Sequence, residues 1–394
     1  MTSSSPLVEP PVLDTRQAPA YPISLVLYCL GHLVVDLYSA SLGVLQPALI
    51  AAYGLTLTKA GVLGGVLALS SSILQPVYGI LADRFHSRLF SALAPAVAGI
   101  FISSLGWAGG YGWLLAMVFA GGMGMASFHP QAAANATARL TRNRAQAMAI
   151  FICSGTAGFA IGPALFSFSL ETWGLRGSWV VAIPGVALTL VMLACLPPPV
   201  RSERPRSLDL SPLKTAWKPL MLLFFLVFNR SIVQVIFTQF LPLYLRTHRG
   251  FTLAAAGYAL AAFMTGATLG GLVGGNLADR FGGRRVIIWS AFGTTPILAV
   301  FVFGTGVWSV AALVAGGLIL ALTIPVNIIM AQRLVPAQAG TVSALMMGFA
   351  WGTAGLIFIP LAGRIADQYS LHRAFCLLIL VPLVSCFLSL RLPK

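Results

Sequence analysis

GVLGGVLALSSSILQPVYGILADRF, residues Gly61 to Phe85, aligns without a gap on GYALAAFMTGATLGGLVGGNLADRF, residues Gly257 to Phe281, at an offset of 196 in a chain of 394 residues. Further along, Gly155-Thr156-Ala157-Gly158 with Pro163 recurs as Gly352-Thr353-Ala354-Gly355 with Pro360. The chain is therefore read as two halves built to one plan. In so apolar a sequence, that repeat predicts a membrane transporter whose halves rock about a site between them.

Composition sets the class. Only 8% of residues are charged, 58% are hydrophobic and the mean hydropathy is +0.90, more apolar surface than a soluble fold can bury. Twelve apolar runs are counted, near 22–52, 59–81, 89–107, 113–137, 145–170, 177–196, 216–245, 253–277, 286–304, 307–332, 339–364 and 372–391, with a broken turn expected at Gln46-Pro47. Most approach the roughly 20 residues that a bilayer-spanning helix needs. The division expected is a tail at 1–20, an N-terminal six-helix bundle at 21–196, a linker at 197–218 that is polar, Pro-rich and basic, and a C-terminal six-helix bundle at 219–394. The tail has no basic n-region or cleavage site before the first run, so it is not read as a signal peptide.

A net charge of +15 would point to nucleic acid in a soluble protein. Here its distribution matters more. With the N-terminus placed in the cytoplasm, 17 of the Lys and Arg residues fall on that side and six on the other. This asymmetry puts both termini in the cytoplasm and makes nucleic-acid binding unnecessary. The five cysteines lie in or at the ends of apolar runs without a CxxC and read as packing residues.

The repeated loop reads Gly79-Ile80-Leu81-Ala82-Asp83-Arg84-Phe85 in one half and Gly275-Asn276-Leu277-Ala278-Asp279-Arg280-Phe281 in the other. It resembles the cytoplasmic loop between helices two and three, and eight and nine, of the major facilitator superfamily. The first copy departs from the family pattern in ending His86-Ser87-Arg88. The resemblance implies an all-α membrane protein of twelve transmembrane helices in two six-helix bundles. It also implies a gating role for Asp83, Arg84, Asp279 and Arg280, an Asp at a helix end pairing with a neighbouring Arg and holding the halves closed. Gly155, Gly158 and Gly162-Pro163 look like the antiporter motif of proton-coupled drug exporters in the same superfamily, though Ala164-Leu165-Phe166-Ser167 replaces its trailing glycines. By themselves they form a small-residue stripe that permits close helix approach.

Nine acidic residues occur, and Asp36 alone lies well inside an apolar run, where an ionisable side chain is a functional candidate by default. His32 lies four residues earlier on the same helical face, so the two read as a proton-coupling site or as a His–Asp bond stabilising the first helix. Arg230 is the one basic residue placed deep in a run, with Asn229 beside it and Gln234 one turn on; by the repeat offset it falls near the level of Asp36 and reads either as facing it across a central cavity or as snorkelling toward the cytoplasm. Gly31-His32, Asp36-Leu37-Tyr38 and Phe128-His129-Pro130-Gln131 resemble the fosmidomycin-resistance branch of the superfamily, which adds Tyr38, His129 and Gln131 to the expected substrate cavity.

The function expected is secondary active transport, proton-coupled efflux of a small toxic molecule by alternating access. The alternative is proton-coupled import of a small metabolite or organic anion. A membrane enzyme or sensor is disfavoured, since there is no HExxH, GxSxG, Walker loop or CxxC and no catalytic residue is assigned. The expected partners are the substrate, protons and the lipid bilayer of a bacterial inner membrane, with the protein acting as a monomer. Neither cofactor nor metal is expected.

Overall fold

The structure, a computed structural model, describes residues 23–140, 143–199 and 211–392. The expected tail, half of the expected linker (200–210) and Arg142 lie outside the described residues, as does the side chain of Asp83. Among the described residues there is no strand. This is what hydrocarbon demands of an open chain, because every backbone N–H and C=O must find its partner within its own segment.

The first helices are α1 (Ile23–Ser39), α2 (Leu42–Tyr53), α3 (Leu57–Ala68), α4 (Gln75–Phe85), α5 (Leu89–Ala92), α6 (Ala94–Ser103), α7 (Tyr111–Asn135), α8 (Arg144–Gly177) and α9 (Ile183–Cys195). After the undescribed segment come α10 (Ser211–Thr215), α11 (Trp217–Arg249), α12 (Leu253–Phe281), α13 (Gly283–Phe303), α14 (Gly306–Ala321) and α15 (Thr323–Leu334). The chain finishes with α16 (Ala339–Ala344), α17 (Ala350–Gln368), α18 (Leu371–Leu378) and α19 (Val381–Ser389). Among the described residues, length and composition give ten candidate membrane spans and one shorter apolar helix, Leu89–Ser103, against the twelve runs counted in the sequence. The runs expected at 145–170 and 177–196 fall in one 50-residue stretch, Gln146–Cys195, interrupted where Gly174 takes a left-handed φ of 67°.

The first span breaks at Ala40-Ser41, between α1 and α2, and not at Gln46-Pro47 as expected. There the Ser41 hydroxyl donates to Leu37 O at 2.5 Å and Ser41 N bonds Tyr38 O, one residue short of the α-helical partner. A hydroxyl that bonds back to the preceding turn bends a helix, while Pro47 is carried inside α2.

Hydrogen bonds place the helix ends. Tyr53 Oη donates to Leu105 O and Ala108 O, and Trp107 Nε1 to Arg176 O, so these junctions share one end of the molecule. Arg88 bonds Leu196 O, Arg139 bonds Pro198 O and Arg284 bonds Leu390 O at the other end, where the described chain also begins and finishes. We call the latter the terminal end. Helices α1–α9 and α10–α19 form two sets that meet tightly near the opposite end. β-carbons added to Gly43, Gly257 and Gly363 would run into Thr238 O, Ser167 Oγ and Leu57 O across the junction. The seam between α3 and α17 loosens toward the terminal end: a β-carbon on Gly352 would lie 2.7 Å from Ile73 Cγ1, but on Gly348 3.6 Å from Gln75 Oε1. Two π-helical segments, Leu69–Ile73 after α3 and Leu345–Phe349 before α17, face each other where it loosens.

The tight end carries a latch. Asp367, at the last turn of α17, accepts from Leu57 N and Thr58 N at 2.8 Å each and from Thr58 Oγ1 at 2.6 Å. It thus satisfies two of the unpaired donors that begin α3, on the other set of helices. Losing such a cap costs about 1 kcal/mol, roughly fivefold in population. Asp367→Ala is expected to populate a wider separation between spin labels at the exposed Lys59 and Arg364, and an unchanged distance distribution would show that the latch does not hold the seam.

Candidate functional site

The stripe of small residues on α8 brings the ionisable residues together. β-carbons on Gly158 and Gly162 would run into Leu33 O and Leu37 O, so α8 lies directly on the backbone of α1. On the facing side Gly31 of α1 makes room for the Phe128 ring of α7, which a β-carbon there would approach to 2.6 Å. Helix α1 is therefore held between α7 and α8, and small residues are what permit that spacing.

Held this way, Asp36 is 6% exposed and lies between two histidines. His32 Nε2 is 3.3 Å from Asp36 Oδ2, and His129 Nε2, from α7, is 3.4 Å from Asp36 Oδ1. The His32 ring stacks on Phe151 with centroids 4.3 Å apart, and His129 stands edge-on to His32 at 5.3 Å. On its far side, His32 Nδ1 lies 2.8 Å from Phe151 O. A carbonyl only accepts, so Nδ1 carries a hydrogen. In the neutral ring Nε2 then holds a lone pair aimed at a carboxylate oxygen. Two lone pairs repel at that distance, so the contact is favourable only with a cation between them; a proton shared by His32 and Asp36 meets that need. Gly155 backs the pair, since a β-carbon there would collide with His32 Nε2 and lie 2.7 Å from Asp36 Oδ2.

Arg230 belongs to a second group. It is 9% exposed, and its guanidinium donates to Gln234 Oε1 at 2.5 Å and to Ser231 Oγ at 3.1 Å while lying over the Trp351 ring at 5.7 Å. Among the described residues no carboxylate comes within salt-bridge distance of it. The expected Asp36–Arg230 pairing is therefore absent, because each group is held by neighbours in its own set of helices. Arg230 also lines a narrow cavity between α11, α13, α15 and α19, with Ser290, Thr294, Thr323, Asn327 and Ser385. Around that cavity Arg230 Nε, both polar atoms of the Asn327 amide and Ser385 Oγ have no hydrogen-bond partner. A buried cation without a counter-ion, beside unpaired buried donors, is an arrangement an anion would stabilise.

Other expected residues are occupied elsewhere. Tyr38 is fully buried, donating to Val181 O at 2.8 Å and accepting from Gly185 N at 3.1 Å. Gln131 accepts from Ser91 N and Ser91 Oγ and donates to Ser87 O, bracing α7 against α5. Neither joins the Asp36 cluster. Asn229 is half-buried next to Arg230. Of the expected gate, Arg84, Asp279 and Arg280 are exposed, and the described residues carry no ion pair there. Sequence reasoning missed Asn327 and Phe151. An uncharged amide inside the tenth apolar run was a signal that a search confined to ionisable groups passed over, whereas a backbone carbonyl leaves no signal at all.

Two tightly joined sets of helices, apolar enough to cross a membrane and enclosing buried ionisable side chains, are the architecture of a membrane transporter. The chain matches the family model for the Major Facilitator Superfamily over residues 28–357 and again over 223–394, and it belongs to that superfamily. It is 27% identical over 375 residues to the fosmidomycin resistance protein of Escherichia coli strain K12, covering 92% of this chain and 91% of that protein. It is also 27% identical to the MFS-type transporter YfnC of Bacillus subtilis strain 168, over 100% of this chain and 98% of that one. Among solved structures, a bacterial homologue of the human lysosomal transporter Spinster superposes with a TM-score of 0.81 at 15% identity, covering 95% and 97% of the two chains, a likeness of fold.

Proposed function

We propose that this transporter exports a small toxic anion from the cytoplasm of a bacterium, driven by protons, through alternating access. The observation that carries the proton coupling is the contact between His32 Nε2 and Asp36 Oδ2, which needs a proton once Nδ1 is committed to Phe151 O. Likeness to a fosmidomycin resistance protein over nearly the whole chain supports efflux. The buried Arg230, without an acidic partner among the described residues, supports an anionic substrate. Charge asymmetry supports a cytoplasmic terminal end, and on that reading the Asp367 latch and the α3–α17 seam close the described conformation toward the outside.

The separation of Asp36 from Arg230 bears on the coupling. Had the two been bridged, an anion binding at Arg230 would have freed Asp36 to take a proton, favouring symport. With Asp36 between two histidines, an anion entering beside Arg230 removes nothing from it. Export of an anion also gains roughly 2.3 kcal/mol per charge per 100 mV from an inside-negative potential.

The test is substrate-dependent proton movement in proteoliposomes, with fosmidomycin and other small organic anions screened at two pH values. Proton flux opposite to substrate flux is expected. Flux of both in one direction would establish the importer instead, and substrate movement without any proton flux would remove the coupling.

A further inference from the structure

We propose that His32, Asp36 and His129 form a binding site for a divalent transition-metal ion of the zinc class. The two imidazole nitrogens and the carboxylate converge with their donor atoms all within 4.8 Å of one another. An ion with bonds of roughly 2.0–2.1 Å in tetrahedral geometry holds neighbouring ligand atoms about 3.3 Å apart, and the two histidine–carboxylate separations are 3.3 and 3.4 Å. To hold one ion the carboxylate would turn to offer a single oxygen, and the two imidazole nitrogens, already within 4.8 Å of it and of each other, would close on a common centre.

The surroundings suit an ion. His32 donates Nδ1–H to Phe151 O, and this second bond fixes the tautomer that presents Nε2 as a ligand. Gly155 leaves the space behind the cluster free of a side chain. The His129 side chain is 23% exposed and that of His32 13%, against 8% for Asp36, so the histidines are the more accessible side of the cluster. Two imidazoles with one carboxylate select zinc, cobalt, nickel or iron(II) over magnesium or calcium, which take mostly oxygen ligands. Metal binding stands on this geometry alone. Its consequence for transport, that ion and coupling proton exclude one another at Asp36, rests on the proton-coupled reading above.

The experiment is titration of the purified full chain with Co2+, followed by its visible ligand-field bands and by their displacement with Zn2+. One Co2+ per chain with the strong bands of a tetrahedral site is expected. Because His129 is partly exposed, His129→Gln should stay folded and should weaken binding by more than about tenfold. His372→Ala alters the other histidine cluster, where His372 Nε2 lies 3.6 Å from Cys376 Sγ and its ring stacks on His248, and it should leave binding unchanged. As a second measurement, Zn2+ should raise the unfolding temperature of the unaltered protein and not that of His129→Gln. Absence of Co2+ bands in the unaltered protein, or their loss in His372→Ala with retention in His129→Gln, would overturn the site. In proteoliposomes, Zn2+ should inhibit the unaltered protein. Indifference of transport to Zn2+ in a protein that binds Co2+ would overturn the sharing of Asp36 and leave the metal site standing.

Discussion

Asp36→Asn is expected to abolish gradient-driven transport while leaving substrate exchange measurable. Asparagine keeps the size of the side chain and a polar contact to each histidine, but it neither binds a proton between pH 5 and 8 nor carries the charge that makes one cation at a time stable between it and His32. Driven accumulation in proteoliposomes under an imposed pH gradient should fall to the level of empty liposomes. Counterflow, which needs binding and the movement of the loaded carrier only, should persist. Full driven transport by Asp36→Asn would sink the proton role and reduce the cluster to a brace between α1 and α7.

The second large effect is expected at Arg230. Its guanidinium makes two hydrogen bonds, to Gln234 and Ser231, its Nε has no partner among the described residues, and the residue lines a narrow cavity with hydroxyls and the Asn327 amide. Lysine would supply the charge as a point without the planar fork, so an anionic oxyacid should bind about tenfold more weakly to Arg230→Lys. Loss of the charge in Arg230→Gln should weaken it by a hundredfold or more, given about 1.5–3 kcal/mol for each hydrogen bond to a charged group. Equilibrium binding of the transported anion checks both variants. Affinity indifferent to both changes would make Arg230 a structural residue, and tighter binding to Arg230→Gln would point to a cationic substrate.

How far the sequence carried the reading differed between fold and site. The helices were legible because an apolar run of bilayer length leaves the backbone one economical conformation, and the duplicated loop marks the second half directly. The His32–Asp36 pair was legible for a similar local reason, as spacing of four residues on a helix puts two side chains on one face. His129 was singled out through a family pattern, but its contact with Asp36 depends on how α7 packs on α1. Gly31 sets that packing, as Gly155 and Gly158 set the packing of α8 on α1, and their spacing says that something comes close without saying what. Arg230 shows the opposite failure. Equivalent positions in two repeats share a level in the membrane, but level does not fix rotation about the helix axis, and the Arg230 guanidinium lies on Gln234, Ser231 and the Trp351 ring with no carboxylate of the described residues in salt-bridge reach. Tyr38 and Gln131 lie beside functional residues in sequence, yet their side chains bond carbonyls and serines within the first set of helices.

The paired π-helical segments have a consequence for how much of the molecule can be sealed. Each takes an extra residue into the turn, so whatever follows is rotated by roughly 100° relative to an unbroken α-helix. Before the first segment, Gly61 and Gly65 point at α17; after it, Gly79 points at Pro130 of α7. The stripe that closes the seam thus ends by a change of phase rather than by running out of helix, and the same occurs in mirror order on α17. A zipper whose teeth turn away at one level can be pulled only that far, which fixes the depth at which the two sets part company.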